Sequence, residues 1–230
     1  MIVSLTIVRY PKKFIPFAFL AMAIHRFPLW LNKPCSFWKL LGCGKSGTFD
    51  IHPDYQQWGL LAVWTQEEDF QHFKNNSFIG KWWKIFCSEQ WTVLCEPVES
   101  HGQWSGKEPF GKPKIKNHEG MVGVLTRATI RPSRLKNFWR NVPKVAAIMD
   151  QSKGFITSVG IGEAPFFMQA TFSVWESLED VKQFAYKDQE HAEVIKLTRK
   201  EDWYSEELFA RFKILKSEGT INGVNPLNTP

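Results

Sequence analysis

The second half of this chain has no cysteine. All four, Cys35, Cys43, Cys87 and Cys95, precede residue 96, and no two form a C-x-x-C or other short metal-type pair. A zinc or iron-sulfur site is therefore not indicated, and free thiols in a reducing, cytoplasmic setting are the default expectation. Long apolar runs are also missing. The best one, FIPFAFLAMAI at 14 to 24, has eleven residues, too few to span a bilayer. It follows Arg9, Lys12 and Lys13 and contains Ala21-Met22-Ala23, which imitates a secretory signal. The preceding IVSLTIVRY reads as a β-strand, so strand followed by helix is the better reading. GCGKSG at 42 to 47 lacks the spacing of a phosphate loop, and neither G-x-S-x-G nor H-E-x-x-H occurs. Nucleotide and hydrolytic chemistry have no motif to rest on.

What is present is aromatic. The 230 residues are 43% hydrophobic and 23% charged, ordinary for a globular chain and incompatible with disorder as the main state. Eleven Trp and 19 Phe exceed the usual share, and large aromatics line sites for flat apolar ligands as well as filling cores. The formal charge of +6 is diffuse. Its densest run, Lys107, Lys112, Lys114 and Lys116, sits in a Gly/Pro-containing stretch and reads as a solvated loop. Peripheral contact with an anionic membrane or an acidic redox partner is a weaker reading, and nucleic acid weaker still.

The chain repeats itself. VWTQEEDFQHF (63 to 73) and VWESLEDVKQF (174 to 184) share Val, Trp, Glu, Asp and the final Phe at identical spacing. FWKLLGCG (37 to 44) matches FITSVGIG (155 to 162), EQWTVLCE (89 to 96) matches ELFARFKI (207 to 214), and SLTIVRYP matches VLTRATIRP, all in the same order. Each half then reads β, α, β, β, α, β, a ferredoxin-like unit. The boundaries expected are a first repeat at 1–97, a linker at 98–120, a second repeat at 121–216 and a polar tail at 217–230. Two such units in one chain predict an α+β fold, a single-chain barrel with helices outside. Thr65 with Glu68 and Ser177 with Asp180 mark the starts of the second helix in each half.

One residue breaks the symmetry. In the second of these helices Val181, Phe184, Ala185, Ala192 and Ile195 share an apolar stripe, and His191 lies on or beside it. The first copy has no matching histidine, so the scaffold does not require it. Such a residue is either a hydrogen-bonded core histidine or a ligand.

The segments FWKLLGCG, WTVL, QWSGKEPF (103 to 110), LTRATIRP (125 to 132), GIGEAPFFMQATFSVW (160 to 175) and WYSEELFARF (203 to 212) resemble the spheroidene monooxygenase family. The resemblance runs from the first strand to about residue 216. It implies a haem-containing monooxygenase that uses dioxygen and a ferredoxin-type electron donor to oxidise a hydrophobic small molecule, an acyclic carotenoid in the named members. On analogy with haem proteins built on duplicated ferredoxin-like domains, it makes His191 the candidate ligand to the iron of haem b. Two propionates would need cations. Strand alternation puts Leu125, Arg127, Thr129 and Arg131 on one face, so Arg127 and Arg131 are either an anion clamp or an ordinary pair at a barrel rim. The same alternation groups Gln169, Thr171 and Ser173 opposite Met168, Ala170, Phe172 and Val174, with the apolar set expected to meet the helices. Gln169 and Ser173 are catalytic candidates as hydrogen-bond partners of oxygen or propionate, a structural network being the alternative. Trp203 is a candidate wall residue or core. A cofactor-free oxygenase or a non-catalytic binding barrel would use the same scaffold without iron, and the helix faces leave room for a homo-oligomer.

Overall fold

The computed structural model describes residues 1–45, 50–113, 118–164, 166–187, 198 and 200–227. Its elements run through the expected order twice. β1 (Ile2–Arg9) leads into α1 (Ile15–Ile24) and α2 (Arg26–Leu31). Then come β2 (Cys35–Gly44), β3 (Pro53–Trp64), α3 (Glu67–Asn76), α4 (Phe78–Phe86) and β4 (Glu89–Gly102). The second half has β5 (Val122–Ile130), α5 (Leu135–Gln151), β6 (Phe155–Ala164), β7 (Met168–Trp175), α6 (Leu178–Lys182) and β8 (Tyr204–Gly219). The strands lie in the order β2-β3-β1-β4 in the first half and β6-β7-β5-β8 in the second, the antiparallel α+β class expected of the repeat. All four cysteines are free thiols.

The chain divides into two compact units. The first gathers Met1–Cys43, Asp54–Pro97 and Ile214–Pro230; the second gathers Gly44–Pro53 and Val98–Lys213. β4 and β8 run on past residues 97 and 216, so part of the expected linker and of the expected tail is strand.

In the first unit β1 pairs antiparallel with β3 on one side, Ile2 opposite Trp64, and with β4 on the other, Thr6 opposite Thr92. Helices cover one face. Val8, Leu40, Leu60, Trp64, Phe70 and Trp83 belong to a single apolar cluster there, with Trp58 and Trp82 packed against it. The α3 start is a capping box of Gln66 with Asp69, one residue later than the expected Thr65 with Glu68. The backbone reaches the extended cap geometry only at Gln66, whose N–H donates to the Asp69 carboxylate at 3.2 Å.

In the second unit β5 pairs with β7, Val122 opposite Trp175, and with β8. Trp175 joins Val122, Val124, Met149 and Val181 beneath α5 and α6, and lies tilted, 5.0 Å between ring centroids, against Phe184 from the predicted helical stripe. Ser177 caps α6, accepting from the Asp180 N–H as expected. Phe172 instead faces Phe212, ring centroids 6.2 Å apart, on the sheet face away from the helices. Gln169, Thr171 and Ser173 therefore lie beneath the helices, the reverse of the expectation. The apolar set was assigned to the helices as though only one face needed covering, but both faces of these strands are buried, and Trp175 fixes the parity.

Candidate functional site

Equal strand register allows the two sheets to be compared position by position. Ile2 opposite Trp64 corresponds to Val122 opposite Trp175, so Val8 answers to Ala128, Trp58 to Gln169, Leu60 to Thr171 and Ala62 to Ser173. The repeat in β2 and β6 pairs Leu40 with Ser158, which lies opposite Ser173. Val8, Leu40, Leu60 and Trp58 are part of, or packed on, the apolar cluster under the helices of the first unit. In the second unit each becomes smaller or polar. Gly160 and Gly162, opposite Thr171 and Gln169, complete a shallow floor.

Among the described residues, the helix above this floor is anchored by one buried side chain toward each end. On α5, Phe138 packs with Ile130 and Trp203, and Met149 packs with Val122, Val124 and Trp175, in two separate clusters. Val142 packs against the first of these clusters, and beyond it Val145 and Ala146 stay partly exposed. Eleven residues at about 1.5 Å each separate the anchors by roughly 16 Å. Thr126, central in β5 and directly opposite Thr171, is exposed, whereas its counterpart Thr6 is buried and hydrogen-bonded to Thr92 at 2.9 Å. A side chain in mid-sheet on a helix-covered face is exposed only where space is left above it. After α6 the chain winds through five residues of π-helix, Gln183–Lys187, a geometry common at functional sites. His191 lies outside the described residues.

The other candidates divide between this floor and elsewhere. Gln169 is on the floor, donating from Nε2 to the Ala164 carbonyl at 3.1 Å. Ser173 accepts from the Trp175 indole at 2.9 Å, and Ser4 accepts from Trp64 in the first copy at 2.8 Å. The hydroxyl thus comes from opposite strands of the two sheets to satisfy the same buried N–H, which explains Ser173 by the fold. Trp203 is buried beside Phe138, its indole donating to Glu201 at 2.9 Å, so it packs the helix anchor.

The two arginines are not one clamp. Arg127 is 2% exposed, on the face away from the helices, with Glu206 and Glu163 at its guanidinium and the Trp104 ring 5.6 Å from it. Two carboxylates already face it, and its Nε, like that of Arg131, has no hydrogen-bond partner among the described residues. Arg131 follows a register shift at Thr129/Ile130 that breaks the alternation carrying the expected pairing. It contacts Asp202 at 3.0 Å, its backbone N–H donates to the Trp203 carbonyl, and its buried Nε has no hydrogen-bond partner among the described residues. Among the described residues no three His, Cys, Asp or Glu side chains form a metal cluster.

The floor itself escaped the reading of either strand alone. Its signal was available, because setting Leu60 against Thr171 and Leu40 against Ser158 across the repeat exposes the loss of bulk. Strand periodicity reports which residues share a face and says nothing about how full that face is.

This architecture defines a duplicated ferredoxin-like α+β protein whose second copy carries small or polar residues beneath its helices where the first carries bulky apolar ones. Aldoxime dehydratase, solved with butyraldoxime, has the same fold: TM-score 0.61 at 10% identity, covering 95% of this chain and 81% of that one. A second aldoxime dehydratase structure also gives 0.61 at 10% identity, covering 93% and 80%. A family model described as a domain of unknown function (DUF3291) matches residues 121–212, the span of the opened sheet. The chain belongs to the spheroidene monooxygenase family. It is 31% identical over 229 residues to the spheroidene monooxygenase of Rhodobacter capsulatus, covering 98% of this chain and 95% of that protein. It is 36% identical over 192 residues to that of Cereibacter sphaeroides, covering 83% of this chain and 59% of that longer protein. The Rubrivivax gelatinosus relative is 34% identical, covering 81% and 72%.

Proposed function

We propose that this monooxygenase depends on haem b, held against the floor of the second sheet, and oxidises a hydrophobic substrate such as an acyclic carotenoid. The observation that carries this reading is the replacement of Val8, Leu40, Trp58 and Leu60 by Ala128, Ser158, Gln169 and Thr171 at matching positions. A flat ligand needs a wide slot with an apolar wall and few polar contacts. Gly160, Gly162 and Ala128 would supply the room, and Val145 and Ala146 the wall.

His191 would be the ligand to the haem iron, and Arg131, through its unpartnered Nε, would contact a propionate. Arg127 is not carried forward in that role. When bound, haem would supply the activation of dioxygen, which no amino-acid side chain provides. The chain's own part is then to exclude water with the α5 wall and to offer the Thr126 and Thr171 hydroxyls as donors over the floor. Electrons would come from a ferredoxin-type donor.

The deciding experiment is the visible spectrum of the haem-supplemented protein, wild type beside His191→Ala. A Soret band weakened or shifted by the substitution supports both cofactor and ligand. Its absence from the wild type sinks the proposal and leaves a cofactor-free oxygenase or a binding barrel on the same scaffold.

A further inference from the structure

The first unit carries a face that its own packing leaves uncovered. α1 is apolar on every side, yet buries only Ala18 and Ala21. Apolar side chains all round belong to a helix enclosed by protein or lying in lipid. Protein does not enclose this one. Phe19, Leu20, Phe27 and Trp30 are exposed, Trp30 to 74% and Phe27 to 65%. Ring contacts join α4 to the same surface, with Phe17 stacked 4.7 Å from Phe86 and Phe86 4.4 Å from Trp82. Phe78 and Ile85 of α4 are exposed there as well.

Its three helices carry charge of one sign. The first acidic residue of the chain is Asp50, and none occurs from 70 to 88, which spans α4. Lys12, Lys13 and Arg26 flank α1, while Lys81 and Lys84 lie within α4. A protein partner matched to such a surface would need both an apolar patch and surrounding acids. An anionic bilayer supplies acyl chains with phosphates above them and accepts long cationic side chains reaching up to its headgroups. Trp30 and Tyr55, amphipathic aromatics of this surface, suit the interface between the two zones.

Residues 12–31 pass the length and hydropathy test for a membrane span, with 22% of the window buried. The fold excludes crossing, because β1 before these helices and β2 after them both pair with β3 in one sheet, which cannot be divided across a bilayer about 30 Å thick. We propose that α1, α2 and α4 form a docking surface that lies on, and does not traverse, an anionic lipid bilayer. The proposal is independent of the haem reading, since it involves none of the residues assigned to that site.

The test is flotation of the full chain with phosphatidylcholine vesicles, with and without phosphatidylglycerol, for wild type, Phe27→Glu/Trp30→Glu and Lys12→Gln/Lys13→Gln/Arg26→Gln. Wild type should float with the anionic vesicles, less so as salt rises. Each variant should lose about tenfold or more in partitioning while its circular dichroism and melting temperature stay unchanged. Wild type left at the bottom with anionic vesicles, or variants that float equally well, overturns the proposal. A wild-type dimer that the glutamate variant splits, without vesicle binding, also overturns it and assigns the face to a second copy of the chain.

Discussion

Buried Arg127 and partly exposed Glu206 form an ion pair that completes a device the chain builds twice. Glu206 accepts from the backbone N–H groups of Ser105 and Gly106 at 3.0 and 2.7 Å, and Glu89 accepts from those of Asn222 and Gly223 at 3.0 and 2.6 Å. All four turn residues have positive φ, as a two-residue hairpin of matching twist requires. Gly102 and Gly219 precede the turns, also at positive φ, and a Cβ on either would lie 2.2 or 2.0 Å from a carbonyl oxygen of the opposing strand. The cation differs in origin: Arg127 in the second unit, and in the first Arg9, 3.5 Å from Glu89. Removing Arg127 as Arg127→Met leaves the partly exposed Glu206 without its buried cation, and the urea midpoint should fall.

The same carboxylates set an acid limit. Burial opposes ionisation of Glu206, but the turn N–H groups and Arg127 more than offset it and hold the carboxyl below its usual value of 4.5; Glu89 is lowered likewise. Because the folded pKa is depressed, the stabilisation is complete above 4.5 and disappears as pH falls through the lower folded value. Glu206→Gln should flatten the unfolding free energy in that window, measured by denaturant titration at successive pH values. An unchanged slope would remove Glu206 from the account.

A second pH window belongs to His25. It is buried among Trp82, Trp83 and Phe78, its Nε2 has no partner among the described residues, and burial pushes its pKa down from 6.5 to about 4. The unfolded state therefore binds the extra proton between those values, and up to about 3 kcal/mol of stability present above 6.5 is lost on acidification toward 4. His25→Phe should abolish this loss, with NMR titration of the imidazole as the direct check.

Refilling the floor tests whether its emptiness matters. Thr171→Leu restores the residue the first copy has at Leu60. Stability should hold or rise by about 1 kcal/mol through added apolar burial, while haem retention and oxygenation fall at least tenfold. A fully active variant would show that the opened sheet is not the site.

Ser173→Ala separates fold from chemistry. With Trp175 left to bury an unsatisfied N–H, it should cost about 1 to 2 kcal/mol and leave kcat unchanged, and Ser4→Ala should cost about as much in the first unit. A selective fall in kcat for Ser173→Ala would return that residue to the catalytic set.

The duplicated α+β scaffold was legible because its signals are local and recur: the Val-Trp ending of β3 and β7, Ser177 as a cap, the apolar stripe of Val181 and Phe184. Errors arose where a long-range choice decided the outcome. The face of Phe172 depends on both sides of β7 being buried. Arg127 and Arg131 separate because a register shift interrupts the strand. The ion pair with Glu206 joins residues 79 positions apart, which no periodicity connects. The turn at 221 to 224 repeats the one at 104 to 107, yet only a conserved Gly-x-x-x-Gly-x-x-Pro skeleton survives between GQWSGKEP and GTINGVNP.

The opened sheet also bears on how such a protein can change. A mutation that enlarges a pocket ordinarily threatens the only core a small domain has. Here a near-replica of that core, filled by larger apolar side chains, persists elsewhere in the chain, so positions such as Ser158 and Thr171 can drift in size and polarity while folding is sustained by Leu40, Leu60 and their neighbours. Ligand preference within this lineage should accordingly evolve fastest at the floor of the second sheet and slowest at the matching residues of the first.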